Sequence, residues 1–167
     1  MEVTSRNNCM RYKSSEKRTK RYAAEITLDV QFLHQHGISH RDMKLENVLV
    51  GSDGHSKIAD FGLCKLGRFC HCKVRTQWGT PFCMAPEIVK NKRYGQGIDW
   101  WAVGIMIFEM LTGYPPFDYD KGEDTDDDSA QDKLAQKILN DNDDFPEDMS
   151  LAAISIVVKL LMKNPAQ

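Results

Sequence analysis

His40-Arg41-Asp42-Met43-Lys44-Leu45-Glu46-Asn47 is followed by Asp60-Phe61-Gly62 and then by Ala85-Pro86-Glu87. Between the first two motifs lie Val48-Leu49-Val50 and Lys57-Ile58-Ala59, with the turn-forming Ser52-Asp53-Gly54 between them, which predicts a β-hairpin. A hairpin folds the chain back on itself. Asn47 precedes its first strand and Asp60 follows its second, so both are brought to one end. Working outward, the pattern turns helical. Residues 22–35 carry Ala23, Ile26, Val30 and Leu33 at helical spacing, and Gly37 stops that helix. Residues 99–111 carry Trp100, Trp101, Val103, Ile105, Met106, Ile107, Phe108 and Met110. Apolar residues on all faces predict a helix buried all round. At about 1.5–3 kcal/mol per large buried side chain it is the main expected source of core stability. Gly113-Tyr114-Pro115-Pro116 ends it.

Two more helices are expected near 130–140 and 150–162, the second with Leu151, Ile154, Val157, Val158 and Leu161 on one face. Residues 63–84 have little period and read as a long loop, of a length that is usually functional. Residues 1–21 are basic and polar and are expected to be disordered. Within them Lys17-Arg18-Thr19-Lys20-Arg21 reads as solvated charge, with a nuclear signal as the alternative. Glu123-Asp124-Thr125-Asp126-Asp127-Asp128 reads as a solvated acidic loop, with a basic partner as the alternative.

The 167 residues suffice for one domain, and 41% apolar with 28% charged residues is the composition of a globular chain. A net charge of −2 gives no bulk attraction to nucleic acid. No apolar run is long enough to span a bilayer, and residues 1–21 have no signal-peptide core. Cys9, Cys64, Cys70, Cys72 and Cys83 show no disulfide spacing, which fits reduced thiols in the cytoplasm or nucleus. Cys70-His71-Cys72 lacks zinc spacing and a second ligand pair, so incidental thiols in a loop are the expected reading.

The three motifs carry chemistry suited to phosphoryl transfer. That reaction needs a group to orient a hydroxyl nucleophile and cations to hold phosphates. Asp42 is placed to accept the hydroxyl proton, and Lys44, two residues on, to bring positive charge to the same site. Asn47 and Asp60 offer the hard oxygens that Mg²⁺ prefers. Polar residues that merely cap turns would not recur as three motifs in this order.

With Asp99-Trp100-Trp101, Gly79-Thr80-Pro81, Leu63-Cys64-Lys65 and Tyr114-Pro115-Pro116-Phe117, the chain resembles the AGC group of serine/threonine protein kinases, nearest the protein kinase C branch, over about residues 21–166. The resemblance implies a fold that is mainly α with a small β-hairpin: a kinase C-terminal, or large, lobe over residues 22–167, the N-terminal lobe being absent from these residues. It implies ATP and Mg²⁺ as cofactors. Asp42, Lys44 and Thr80 would be catalytic. Lys44, Asn47, Leu49 and Asp60 would bind ATP, with Asn47 and Asp60 holding the metal. Thr76 would be the activation-loop phosphosite, paired with Arg41. Thr80 would also mark serine/threonine specificity by bonding Asp42 and Lys44. Glu46 and Glu109 would read a basic residue beside the target Ser or Thr of a protein substrate. His40 and Phe61 would stack as structural residues, Asp99 would hold the catalytic-loop backbone, and Glu87 would be a buried structural carboxylate.

The sequence also departs from the family. It has no Gly-x-Gly-x-x-Gly and no Val-Ala-x-Lys, parts required in active protein kinases. An isolated chain of these residues is therefore expected to be inactive and to bind Mg·ATP weakly. A non-catalytic binding module and a truncated gene product are the alternatives. The arginine that usually partners the residue at Glu87 would fall just after Gln167, so Glu87 is expected to lack it, with a raised pKa if buried. Phe82-Cys83 stands where the family has a pair ending in tyrosine. Apolar surface is expected to be uncovered near the hairpin and near residues 150–162.

Overall fold

The structure, a computed structural model, describes residues 13–67, 69–70, 81–118, 128–140 and 144–164. Among these, helix α1 is Glu16–Gln35, α2 Pro86–Val89, α3 Gly97–Thr112, α4 Asp128–Asn140 and α5 Leu151–Leu160. The strands are short: β1 Ile38–Ser39, β2 Val48–Val50, β3 Ser56–Ile58, β4 Lys65–Leu66, β5 Phe69–Cys70 and β6 Tyr94–Gly95. They pair antiparallel in twos, β1 with β4, β2 with β3 and β5 with β6. The chain is mainly α with small β ribbons, as its sequence predicts.

Helix α3 is the axis of the core. Ile98, Trp101, Val103, Ile105, Met106, Ile107, Phe108 and Met110 are all buried on it, so no side of the helix is left for water. It packs against α1 on one side and α5 on another. The α5 approach is close enough that a β-carbon on Gly104 would come within 2.8 Å of Leu160 Cβ and Leu161 Cδ2. The helix stops at Gly113, whose φ of 88° lies in the left-handed region that glycine enters without a Cβ penalty. Trp101 of α3 stacks with Phe117 after it, ring centroids 6.0 Å apart, and Lys163 Nζ lies 4.1 Å from the Phe117 centroid.

Three local expectations are corrected. Helix α1 starts at Glu16, not near residue 22, so the basic run Lys17–Arg21 lies in its first turns and not in a disordered segment. Buried Thr19 extends the stripe of Tyr22, Ile26, Val30 and Leu33 by one turn. A count of apolar residues alone misses a threonine that serves as core. On α5 the buried face is Ala153 and Val157, continued by Leu161, whereas Leu151 is 85% exposed and Val158 is exposed too. The stretch 63–84 is not all loop: β4 and β5 lie in it, and Pro81–Cys83 forms a 3-10 turn. Two-residue strands have no periodicity to read, and their partners β1 and β6 lie far away in sequence. Residues 1–12, Thr76, Thr80, Cys72 and the acidic stretch 123–127 lie outside the described residues.

Candidate functional site

The segment from His40 to Asn47 is bound from below by one buried carboxylate. Asp99, in the first turn of α3, accepts the His40 amide at Oδ2 (2.9 Å) and the Arg41 amide at Oδ1 (2.8 Å). His34 Nε2 on α1 donates to the same Asp99 Oδ2 at 2.8 Å. A buried carboxylate is tolerated when its lone pairs are met in this way. The arrangement holds Arg41 at φ 71°, a backbone state that costs a non-glycine residue of order 1–3 kcal/mol unless its surroundings enforce it. The Arg41 Nε then donates to the Leu63 carbonyl at 2.6 Å.

His40 is fully buried and shares its two ring nitrogens between the loop and the hairpin. Its Nδ1 accepts the Asp42 amide at 3.4 Å, which leaves the Nε2 proton to be donated to the Ala59 carbonyl at 3.1 Å. Its ring meets Phe61 edge-on, with centroids 5.3 Å apart. Phe61 itself is 51% exposed, so it is no core residue among those described.

Asp42, Lys44 and Asn47 come together as their spacing predicts. Lys44 Nζ and Asn47 Nδ2 each lie 3.0 Å from Asp42 Oδ2. Asn47 Nδ2 also donates to the Asp42 carbonyl at 2.7 Å. A 3-10 turn, Leu45–Asn47, makes this geometry, anchored by buried Leu45. Asp42 Oδ1 and Asn47 Oδ1 have no hydrogen-bond partner among the described residues. The hairpin registers Val48 with Ile58 and Val50 with Ser56, and the Ala59 amide donates to the Asn47 carbonyl at 2.8 Å. The strand pair therefore sets Asp60 close behind Asn47. Asp60, at φ 60°, is exposed and accepts the Gly62 amide at Oδ1 (3.2 Å), leaving Oδ2 without a bond among the described residues. Leu49 is half-buried on β2, paired with Lys57.

Glu46 and Glu109 are half-buried and gather with Asp42 and Lys44 around Cys83. Burial pushes the Cys83 thiol far up, aided by the carboxylates of Glu109, Glu46 and Asp42 against the opposing charge of Lys44. A thiol held protonated is a small apolar filler rather than a nucleophile. Glu87, in α2, is buried with 8% exposure, and no guanidinium bonds its carboxylate among the described residues. His34, Glu25 and Asp29 are the residues that motif reading passes over. The only signal for His34, Glu25 and Asp29 is a polar side chain on the inner side of an otherwise amphipathic helix.

The protein kinase domain family matches residues 1–167 of the chain. "Protein kinase C" of Drosophila melanogaster is 44% identical over 146 residues, 87% of this chain and 18% of that protein. "Protein kinase C epsilon type" of Rattus norvegicus is 43% identical over 153 residues, 92% of this chain and 20% of that protein. "Serine/threonine-protein kinase N2" of Danio rerio is 44% identical over 151 residues, 90% of this chain and 14% of that protein. The chain thus spans a fifth or less of the length of these curated relatives.

Proposed function

The chain belongs to the protein kinase domain family, in its serine/threonine, protein-kinase-C-like branch, and from that premise we propose that residues 22–167 form a kinase large lobe whose Asp42 cleft transfers phosphate from ATP to protein Ser or Thr. The observation that carries this reading is the one-sided engagement of Asp42. Its Oδ2 is occupied by Lys44 and Asn47, so Oδ1 is the oxygen left to accept the proton of a substrate hydroxyl. As that hydroxyl oxygen bonds to the γ-phosphorus, the bond from phosphorus to the ADP oxygen breaks. Lys44, held by Asp42, offers its ammonium to the charge on the moving phosphoryl group.

The freed oxygens of Asn47 and Asp60 fit a hard divalent cation such as Mg²⁺. When bound, it neutralises charge on the nucleotide's phosphate oxygens. Leu49 contributes an apolar floor for the base. Glu46 and Glu109 favour substrates with a basic residue near the target hydroxyl. Thr76, when phosphorylated, pairs with Arg41, and Thr80 orients Asp42 and Lys44. These residues on their own hold no glycine-rich loop and no Val-Ala-x-Lys lysine, so the chain taken alone is expected to bind Mg·ATP weakly. The alternative reading is a lobe that binds partners without catalysis.

A fusion separates the two. The nucleotide-binding lobe of a protein kinase C is joined ahead of residue 13, so that all of α1 is kept, and transfer to a basic Ser-containing peptide is measured. A catalytic cleft gives transfer that falls by about 100-fold or more in Asp42→Asn, and is lost in Asp60→Asn. A fusion that binds ATP yet transfers nothing, while partner binding survives both substitutions, establishes the binding module instead.

A further inference from the structure

The β2–β3 hairpin has three residues per strand, and a lone two-stranded hairpin is marginal in water. Something outside it must hold it in place. Three residues one turn apart along α1 do so. Arg21 Nη2 donates to the Gly54 carbonyl in the hairpin turn at 2.9 Å. Glu25 accepts four bonds: at Oε2 from the Ser56 amide (2.8 Å) and the Ser56 hydroxyl (2.7 Å), and at Oε1 from His55 Nδ1 (2.8 Å) and Arg21 Nε (3.2 Å). Asp29 Oδ2 accepts the Ile58 amide more loosely, at 3.4 Å. Glu25 is thus the centre of the clamp. Burial pushes its carboxyl up, but the Ser56 amide, the Ser56 hydroxyl, His55 and Arg21 together outweigh this and bring it down to about 2.

Strand β3 leads straight to Ala59, whose amide bonds the Asn47 carbonyl, and then to Asp60. We propose that Glu25 is a positioning residue: by fixing β3 through Ser56 and His55 it sets the spacing of Asn47 and Asp60, the two residues assigned above to the metal. The assignment of the metal rests on the proposed kinase function, whereas the clamp rests only on the hydrogen bonds. Glu25 makes no contact with the reacting atoms. Its effect is that of an outer-layer partner, which orients ligands it does not touch.

The test uses the full 167-residue chain with two readouts. Amide hydrogen exchange is followed at Ala59, and at Ile105 in α3 as the reference for global opening. Glu25→Ala is expected to speed exchange at Ala59 while leaving Ile105 unchanged. Ser56→Ala, which removes one hydroxyl donor and keeps the fold, is expected to do the same to a smaller degree. Acceleration shared equally by Ala59 and Ile105 in both variants, or none at Ala59, overturns the proposal. The second readout is paramagnetic broadening of the Asn47 and Asp60 amides by Mn²⁺. Glu25→Ala is expected to weaken that affinity by about 10–100-fold, and Ile138→Val, a core change in α4, is expected to leave it alone. Equal Mn²⁺ affinity in wild type and Glu25→Ala, with Ala59 exchanging faster, overturns the positioning role. If wild type shows no broadening at these amides, the metal assignment fails, and the exchange readout alone decides whether Glu25 fixes the hairpin.

Discussion

Helix α3 and the β2–β3 hairpin both bond the segment His40–Asn47, α3 through Asp99 and the hairpin through Ala59, yet they are held by different means. Along α3, twelve of sixteen residues are buried, and apart from the His34–Asp99 bond the packing against α1 and α5 is apolar. In the hairpin only Val48 and Ser56 are buried, and the bonds that fix it are polar ones from Arg21, Glu25 and Asp29. Apolar packing is non-directional and grows with area, so it supplies stability. Hydrogen bonds add little net energy but define distance and angle, so they supply geometry. The difference teaches that stability and site precision reside in separate parts of this molecule and can be perturbed separately.

The largest expected effect lies in α3. Phe108 is fully buried beside Tyr114 and Phe145. Phe108→Ala is expected to cost about 3–5 kcal/mol, a large share of the roughly 5–15 kcal/mol that holds a typical domain. Urea unfolding checks this. A loss no larger than that of Ser56→Ala would break the comparison, because the hairpin would then carry stability as well.

A smaller effect is expected from pH. The Glu25 carboxyl titrates at about 2 in the fold against an ordinary value of 4.5. A lowered carboxylate contributes stability that is present above 4.5 and is lost as pH falls through about 2. The urea midpoint of wild type is therefore expected to drop more steeply than that of Glu25→Gln as pH falls from 4.5 toward 2. Parallel curves would show that the clamp carries no charge-dependent stability. The smallest effect belongs to the exposed pair of Lys13 with Asp148. Such pairs are screened by water and salt, so Lys13→Ala is expected to leave the urea midpoint within error. A clear shift there would mean that the N-terminal end of α1 is held more tightly than its exposure implies.

Much of this was legible from residue order. The all-round apolar run of α3, the turn at Ser52-Asp53-Gly54 and the Asp42, Lys44, Asn47 spacing each depend on near neighbours, so local rules sufficed. Apolar periodicity places the start of α1 too late because Thr19 counts as polar in any hydropathy reading although it is buried here. Strands β4 and β5 escape a reading of periodicity because two residues leave no pattern to detect.

Sequence alone determined the kinds of groups at the site: a carboxylate at Asp42, a lysine two residues on, and the oxygens of Asn47 and Asp60 flanking a hairpin. Tertiary structure alone decided who holds them. Asp99 reaches the His40 and Arg41 amides and His34 across about sixty residues of chain, and Glu25 meets Ser56 across about thirty. The physical reason is that a hydrogen bond depends on atoms meeting at about 3 Å. Packing of α1 and α3 arranges that meeting, and no spacing along the chain can record it.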